Sequence, residues 1–196
     1  MVLQGFGWRD LNPLDPENSH PSQGRRPTFR ESRFMAYNAI LHGANALLYW
    51  GTNYAKDEID ADASATEKKE TLDTPFWRDL RRVIRELSTL EPALAAPPVR
   101  PQPDCSFEET FGSVDDRGLM TMLKKVDGDY VLLVTNETHN GLAFTVSNLP
   151  AELEGKTLYC LNRPDKVQIV RRGFRDGIPA FEARIYATSR RFEPTK

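Results

Sequence analysis

Apolar residues recur along the chain with three different periods. Val2 to Phe6 and Ala46 to Trp50 are short runs without polar alternation, the pattern of strands buried on both faces. Between them Phe34, Tyr37 and Leu41 recur at helical spacing, with Met35 and Ile40 beside them. Thr28 and Glu31 open that stretch as a T-x-x-E capping box, and Gly43 is placed for a left-handed C-terminal cap. A second helix is predicted from Thr74 as N-cap and Pro75 in the first turn. Phe76, Leu80, Val83, Ile84, Leu87 and Leu90 share its apolar face, and Pro92 is expected to stop it. Two buried strands separated by a helix predict a parallel pair.

From Ala95 to Asp104 the chain crowds in Pro97, Pro98, Pro101 and Pro103, which predicts a semi-rigid linker. Past it the period becomes two. Leu119 to Val126, Tyr130 to Thr135, Leu142 to Val146, Thr157 to Leu161, Val167 to Val170 and Phe181 to Ala187 are β-rich runs. Asp127-Gly128, Asn140-Gly141, Gly155 and Gly173 separate them, and this close spacing predicts an antiparallel sandwich or a small barrel. The expected fold class is therefore α/β plus all-β: two strand–helix units over residues 1–94, a linker over 95–104 and a β-domain over 105–196.

Composition narrows the function classes. The 196 residues are 39% hydrophobic and 28% charged, and 26 basic against 28 acidic side chains leave a net charge of -2. Such a balance offers no broad basic surface for nucleic acid. The longest apolar stretch, Ala44 to Trp50, is far shorter than the about 20 residues of a membrane helix, and no signal peptide is expected at the start. Cys105 and Cys160 are too few for a disulfide scaffold and lack zinc-site spacing, while their pairing is left open. His20, His42 and His139 are scattered without ligand spacing, and His42 is expected to close its helix. Asp57 to Ser64 alternates oxygen ligands, but counted from Asp60 an EF-hand would need glycine at Ala65 and glutamate at Leu72, so a solvated acidic loop is expected. No metal or cofactor is expected. Asn136-Glu137-Thr138 is a glycosylation sequon.

The run Val2-Leu3-Gln4-Gly5-Phe6-Gly7-Trp8 is followed by Arg26-Pro27-Thr28, Glu31, Arg33, Ala36-Tyr37, His42-Gly43-Ala44, Leu48-Tyr49-Trp50 and finally Phe76-Trp77. In that order these motifs resemble the last two strand–helix units of a (β/α)8-barrel glycoside hydrolase. The part after the linker resembles the C-terminal β-sandwich of such enzymes. The resemblance implies a carbohydrate ligand. It also implies that about six strands of the barrel lie elsewhere, in an N-terminal barrel segment or a partner chain, since a closed barrel takes eight strands. Without them Ile40, Leu47 and Leu87 are expected to present bare apolar faces.

Barrel chemistry sits at the C-terminal ends of strands, which directs attention to Phe6 to Asp10 and Tyr49 to Tyr54. Glycosidases work with two carboxyls, and the resemblance places one on the absent fourth strand and one on the seventh. Where that seventh-strand nucleophile is expected, this chain carries Gln4, Gly5 or Phe6, leaving Asp10 as a weak catalytic candidate and Glu17 beyond it in the loop. The chain alone is expected to lack hydrolytic activity. Trp50 is the first binding candidate, stacking on a sugar ring or else buried beneath the β-domain. Trp8, Asn53 and Tyr54 share the strand-end logic, and Gln4 is placed to hydrogen-bond a hydroxyl or a buried backbone group. Covering half of an aromatic ring contributes roughly 2 to 3 kcal/mol, which is affinity rather than catalysis. A non-catalytic carbohydrate-binding or structural module is the second reading.

Overall fold

The local signals at the helix starts form as their side-chain chemistry requires. In the computed structural model, which describes residues 1–11, 24–55, 57–58, 70–71, 74–107 and 118–193, Thr28 accepts the Glu31 N–H while the Glu31 carboxylate takes the Thr28 N–H. This box opens α2 (Phe29–Leu41), and Gly43, at φ +90°, follows its end. Thr74 accepts the Trp77 N–H at 3.2 Å and opens α3 (Pro75–Ala95). A short helical turn, α1 (Trp8–Leu11), precedes both.

β1 (Val2–Gln4), ahead of the helices, and β2 (Leu48–Trp50), between α2 and α3, pair in parallel with Leu3 opposite Tyr49 and Gln4 opposite Trp50. Both strands are shorter than the apolar runs that announced them, because Gly5-Phe6-Gly7 turns the chain away and Ala46-Leu47 leads in from the helix cap. Two-residue segments β3 (Asp57–Glu58) and β4 (Glu70–Thr71) pair antiparallel. Residues 59–64 of the acidic loop, like Glu17 and His20, lie outside the described residues.

The remaining strands are β5 (Asp104–Phe107), β6 (Leu119–Val126), β7 (Asp129–Asn136), β8 (Leu142–Ser147), β9 (Thr157–Cys160), β10 (Lys166–Gln168), β11 (Phe174–Ile178) and β12 (Glu182–Ala187). They form two antiparallel sheets, one in the order β10-β9-β12-β7-β6 and one in the order β11-β8-β5. Asp127 and Gly128 both take positive φ, 49° and 83°, which turns β6 tightly into β7. The architecture is mixed α and β with mostly antiparallel sheets.

Four layers follow from which faces are apolar. Leu123, Tyr130, Leu132 and Val134 of the larger sheet meet Leu142, Phe144, Val146 and Ile178 of the smaller in one core. The alternate residues of β7, Val131 and Leu133, join Tyr37 and Leu41 of α2 and Leu90 and Ala93 of α3 in a second. On the far side of the helices Leu3 packs with Ala36, Ala39 and Val83. Nothing among the described residues covers the outer face of the β1–β2 pair, where Val2, Leu48 and Trp50 remain 61%, 58% and 52% exposed.

Several expectations are corrected. Ile40, Leu47 and Leu87 are not bare but half-buried, because α2 and α3 pack against each other and against both neighbouring layers. The bare residues are those one step along the pleat, on the strands themselves. Ile84 is 47% exposed, since the buried stripe of α3 runs through Leu80, Val83 and Leu90 on the side away from it. Pro92 does not stop α3, which continues to Ala95 because Leu90 and Ala93 are fully buried against the larger sheet. The Lys124 ammonium also caps that end, donating to the carbonyls of Leu94 and Ala96. Segment 95–104 is fastened to β6: the Val99 N–H bonds Leu123 O at 2.9 Å, and the Gln102 side chain accepts from Leu123 N–H and donates to Leu123 O. β5 and β11 are strands beyond those the apolar pattern predicts. Both cysteines are free thiols, with burial pushing Cys105 up to about 11. Asn136 of the sequon is wholly buried and donates to Asn140 O at 2.7 Å and Pro179 O at 3.0 Å, so it is no surface acceptor.

One buried ion network holds the helices to the sheet. Glu86 of α3, 2% exposed, accepts from Arg33 Nε at 3.0 Å and from the Tyr37 hydroxyl at 2.7 Å, and Arg33 also donates to Ala183 O on β12. Desolvation pushes the Arg33 pKa down, but the Glu86 charge outweighs it and keeps the guanidinium firmly protonated; desolvation, with Glu86 beside it, drives the Tyr37 hydroxyl well above its usual range. Glu86→Ala leaves Arg33 buried and unpaired and is expected to lower stability by about 3 to 5 kcal/mol in urea unfolding. Replacing Arg33 and Glu86 together with Met and Leu should recover most of that loss.

Candidate functional site

The C-terminal ends of β1 and β2 converge on Phe6. Past β1 the pairing continues with Gly5 N–H to Trp50 O at 2.9 Å, and the chain then turns inward so that Phe6 is only 3% exposed. Gly51 makes this possible: its φ is +79°, and a Cβ there would stand 2.6 Å from the Phe6 ring. Gly7 is as crowded, with Gly24 O 2.4 Å from where its Cβ would be.

Three aromatic rings stand around Phe6 and remain open to solvent. Trp8 and Trp50 meet it edge-on at centroid distances of 5.1 and 5.2 Å, Tyr54 lies 6.3 Å away, and Trp50 and Tyr54 are 6.4 Å apart. Trp8 is 60% exposed and Tyr54 44%. Edge-to-face contacts fix ring orientations through the aromatic quadrupole, so the buried phenyl acts as a pedestal for an exposed aromatic surface. Trp50 faces away from the helices rather than lying beneath the β-part.

The polar candidates are placed around this surface with definite partners. Gln4, opposite Trp50 in the register, donates from Nε2 to Phe6 O at 2.8 Å, the backbone-satisfying role. Asp10 accepts the Gly7 N–H at 2.7 Å and is gripped by Arg26 Nε at 3.0 and 2.9 Å, so the carboxylate ties the Phe6 turn to the start of α2. Asn53 sits exposed in the 3-10 turn Thr52–Tyr54 beside Tyr54.

A cleft of about 400 Å³ opens next to Trp8 and Gln4, reaching Phe34 and Met35 of α2 and Phe181 before β12. Its charged lining is the Arg25–Glu31 pair, bonded twice at 2.6 and 2.5 Å. Hydrogen bonding from Arg25, then from Thr28, holds the Glu31 carboxyl at about 2 despite its partial burial. Among the described residues no group of three or more His, Cys, Asp or Glu side chains gathers as a metal-ligand set, and no helix is long and apolar enough to cross a membrane.

Sequence reasoning reached Trp8, Trp50, Tyr54 and Gln4, which the fold brings together. It did not reach Phe6 as their support, though a large ring between two glycines was a readable sign of a crowded turn. Arg25, Glu31 and Phe181 join the cleft only through long-range packing; Phe181 is held there at φ 46°, against the ring of Phe34 at 5.7 Å.

No protein-family model matches the chain, and no curated protein matches it. Among solved structures, a variant of AmyP in complex with maltotriose and AmyP in complex with maltose each superpose at a TM-score of 0.50 and 15% identity. Each match covers 100% of this chain and 40% of AmyP. The fold is similar to part of the AmyP structure. The α-amylase from Geobacillus thermoleovorans complexed with acarbose gives a TM-score of 0.49 at 15% identity over 95% of this chain and 38% of its own. The chain thus spans about two-fifths of the length of the proteins it resembles.

The Arg25–Glu31 pair yields a pH prediction. A carboxyl held at about 2 when folded, against 4.5 otherwise, contributes stability that is complete above about 4.5 and is lost as pH falls through 2. The difference in thermal midpoint between the native chain and Glu31→Gln should therefore be constant from pH 7 to about 5 and shrink toward zero near pH 2. A difference that does not narrow on acidification removes Glu31 ionisation as its source.

Proposed function

We propose that the chain is the closing portion of a (β/α)8-barrel glycoside hydrolase, with residues 1–94 as its last two strand–helix units, 95–104 as linker and 105–196 as a C-terminal β-sandwich. One observation carries this reading. A parallel strand pair is backed by two helices on one face and presents Val2, Leu48 and Trp50 on the other. That is the layering of a barrel wall, in which helices cover the outside and side chains of the remaining strands fill the inside. A lone parallel pair leaves strand edges and apolar surface that other strands, from a preceding segment or a partner chain, would cover.

The ligand under this reading is an α-linked glucose oligosaccharide, the class to which the maltose and maltotriose held by AmyP belong. Trp8, Trp50 and Tyr54, with Gln4 and Asn53 beside them, stand at the C-terminal strand ends, where barrel proteins bind their substrates. Asp10 serves as a positioning residue through Arg26 and the Gly7 N–H, rather than as an acid or nucleophile. Bond cleavage needs two carboxyls, one on a strand outside this chain and one at a strand end where this chain carries Gln4, Gly5 or Phe6, so the chain binds and does not cleave. The second reading, a carbohydrate-binding module, is favoured by the aromatic surface being assembled wholly from this chain's own residues.

Two measurements test these statements. Titrating maltotriose while following tryptophan fluorescence should show saturable binding that Trp50→Ala weakens by up to about thirtyfold, in line with roughly 2 kcal/mol of ring burial, with no reducing sugar released. Hydrolysis abolished by Asp10→Asn would overturn the non-catalytic assignment. The bare strand face should bind an apolar dye, and Val2→Thr with Leu48→Thr should reduce that signal while moving stability by less than about 0.5 kcal/mol. A chain that binds no dye has no open barrel wall.

A further inference from the structure

A second cavity, of about 220 Å³, lies away from the aromatic surface, where the first turns of α2 meet β12 and the turn after β9. Four guanidinium groups line it, those of Arg30, Arg33, Arg163 and Arg184, together with one carboxylate, Glu182. Glu86 neutralises Arg33 and Asp165 pairs with Arg163 at 2.7 Å, so among the described residues the four cations have three carboxylates within ion-pair distance. Glu182 is divided among the other three: it lies 3.2 Å from Arg30 Nε, 3.5 Å from Arg184 Nε and 3.7 Å from Arg163. The last two separations fall short of hydrogen bonds.

Arg184 is the least satisfied of the four: it sits on β12, a strand flanked on both sides in the larger sheet, and is 6% exposed, and although its guanidinium meets the Cys160 thiol and lies within ion-pair reach of Glu182, its Nε has no hydrogen-bond partner among the described residues. A buried charged N–H without an acceptor is unfavourable, and arginine cannot relieve it by losing its proton. An oxygen acceptor carrying negative charge would complete the set.

We propose that this cavity is an oxyanion site that takes a phosphate or sulfate group, bound by Arg184 and Arg163 with Arg30 beside them. Planar guanidinium forks match the paired oxygens of such a group, and a bidentate contact supplies both the acceptor that Arg184 Nε lacks and negative charge for the cavity. The volume admits one tetrahedral oxyanion with a few waters at about 30 Å³ each. Because its walls come from α2 and from two strands of the larger sheet, the bound anion would fasten the helical layer to that sheet.

The test uses the full chain, titrated with inorganic phosphate, with glucose 6-phosphate and with chloride at matched ionic strength, followed by calorimetry and thermal midpoint. Phosphate should bind at a single saturable site and raise the midpoint by several degrees relative to chloride. Arg163→Gln, at a half-exposed turn where folding is not at risk, should weaken phosphate about tenfold, and Arg184→Met should weaken it at least as much. Arg171→Gln, an exposed arginine on another turn, should leave affinity within about twofold. Tighter binding of the ester than of inorganic phosphate assigns the group to a phosphorylated sugar, and equal binding assigns it to the free ion. A midpoint shift matched by chloride, or a phosphate affinity unchanged in Arg163→Gln, overturns the site.

Discussion

A carboxylate placed in an apolar interior must be met by charge and by donors, and Glu86 sets that requirement at the centre of this molecule. Arg33 and Tyr37 meet it from α2, and Arg33 reaches past it to the Ala183 carbonyl on β12. Three elements remote in sequence are thereby fixed to one point: two helices and a central strand. The angle between the helices and the sheet below them follows from this network together with the apolar packing of Leu41, Leu90 and Leu133. The outer strand pair inherits its position in turn, because Leu3 and Tyr49 can bury only against helices already held in place.

The central sheet serves two cores at once. Successive residues of β7 alternate between the neighbouring sheet and the helices, and the strand is buried along nearly its whole length. Such a strand reads as continuous hydrophobicity, Tyr130 to Val134, even though it belongs to an antiparallel sheet; the helical layer on its second face removes the need for polar alternation.

What could be read in advance was local. The Thr28–Glu31 box, the Thr74-Pro75 start and the Asp127-Gly128 turn are decided by groups within four residues of one another, and the structure carries each of them. β11 escaped because its inward-facing positions are Phe174, Asp176 and Ile178; the middle one is charged, and its half-buried place is met by the Tyr186 hydroxyl that bonds it at 2.6 Å. β5 escaped because its alternation spans four residues next to a proline-rich stretch. Within the candidate site the exposed aromatics were legible from their position after an apolar strand. Glu31, Phe181 and the arginines around Glu182 were not, since long-range packing alone brings them to a common cavity. Pro92 shows the converse: its helix-breaking tendency is real, but the burial of Leu90 and Ala93 on either side outweighs it.

Asn136 carries a consequence for the life history of the polypeptide. Both amide hydrogens of its side chain are spent on carbonyls of neighbouring loops, and its own oxygen receives the Thr138 N–H and hydroxyl. A transferase that attaches a glycan needs that nitrogen free, which the folded arrangement does not allow. Attachment and maturation therefore compete for the same atom: a chain that has already collapsed is closed to the sugar, and a chain that has received the sugar can no longer seat the end of β7.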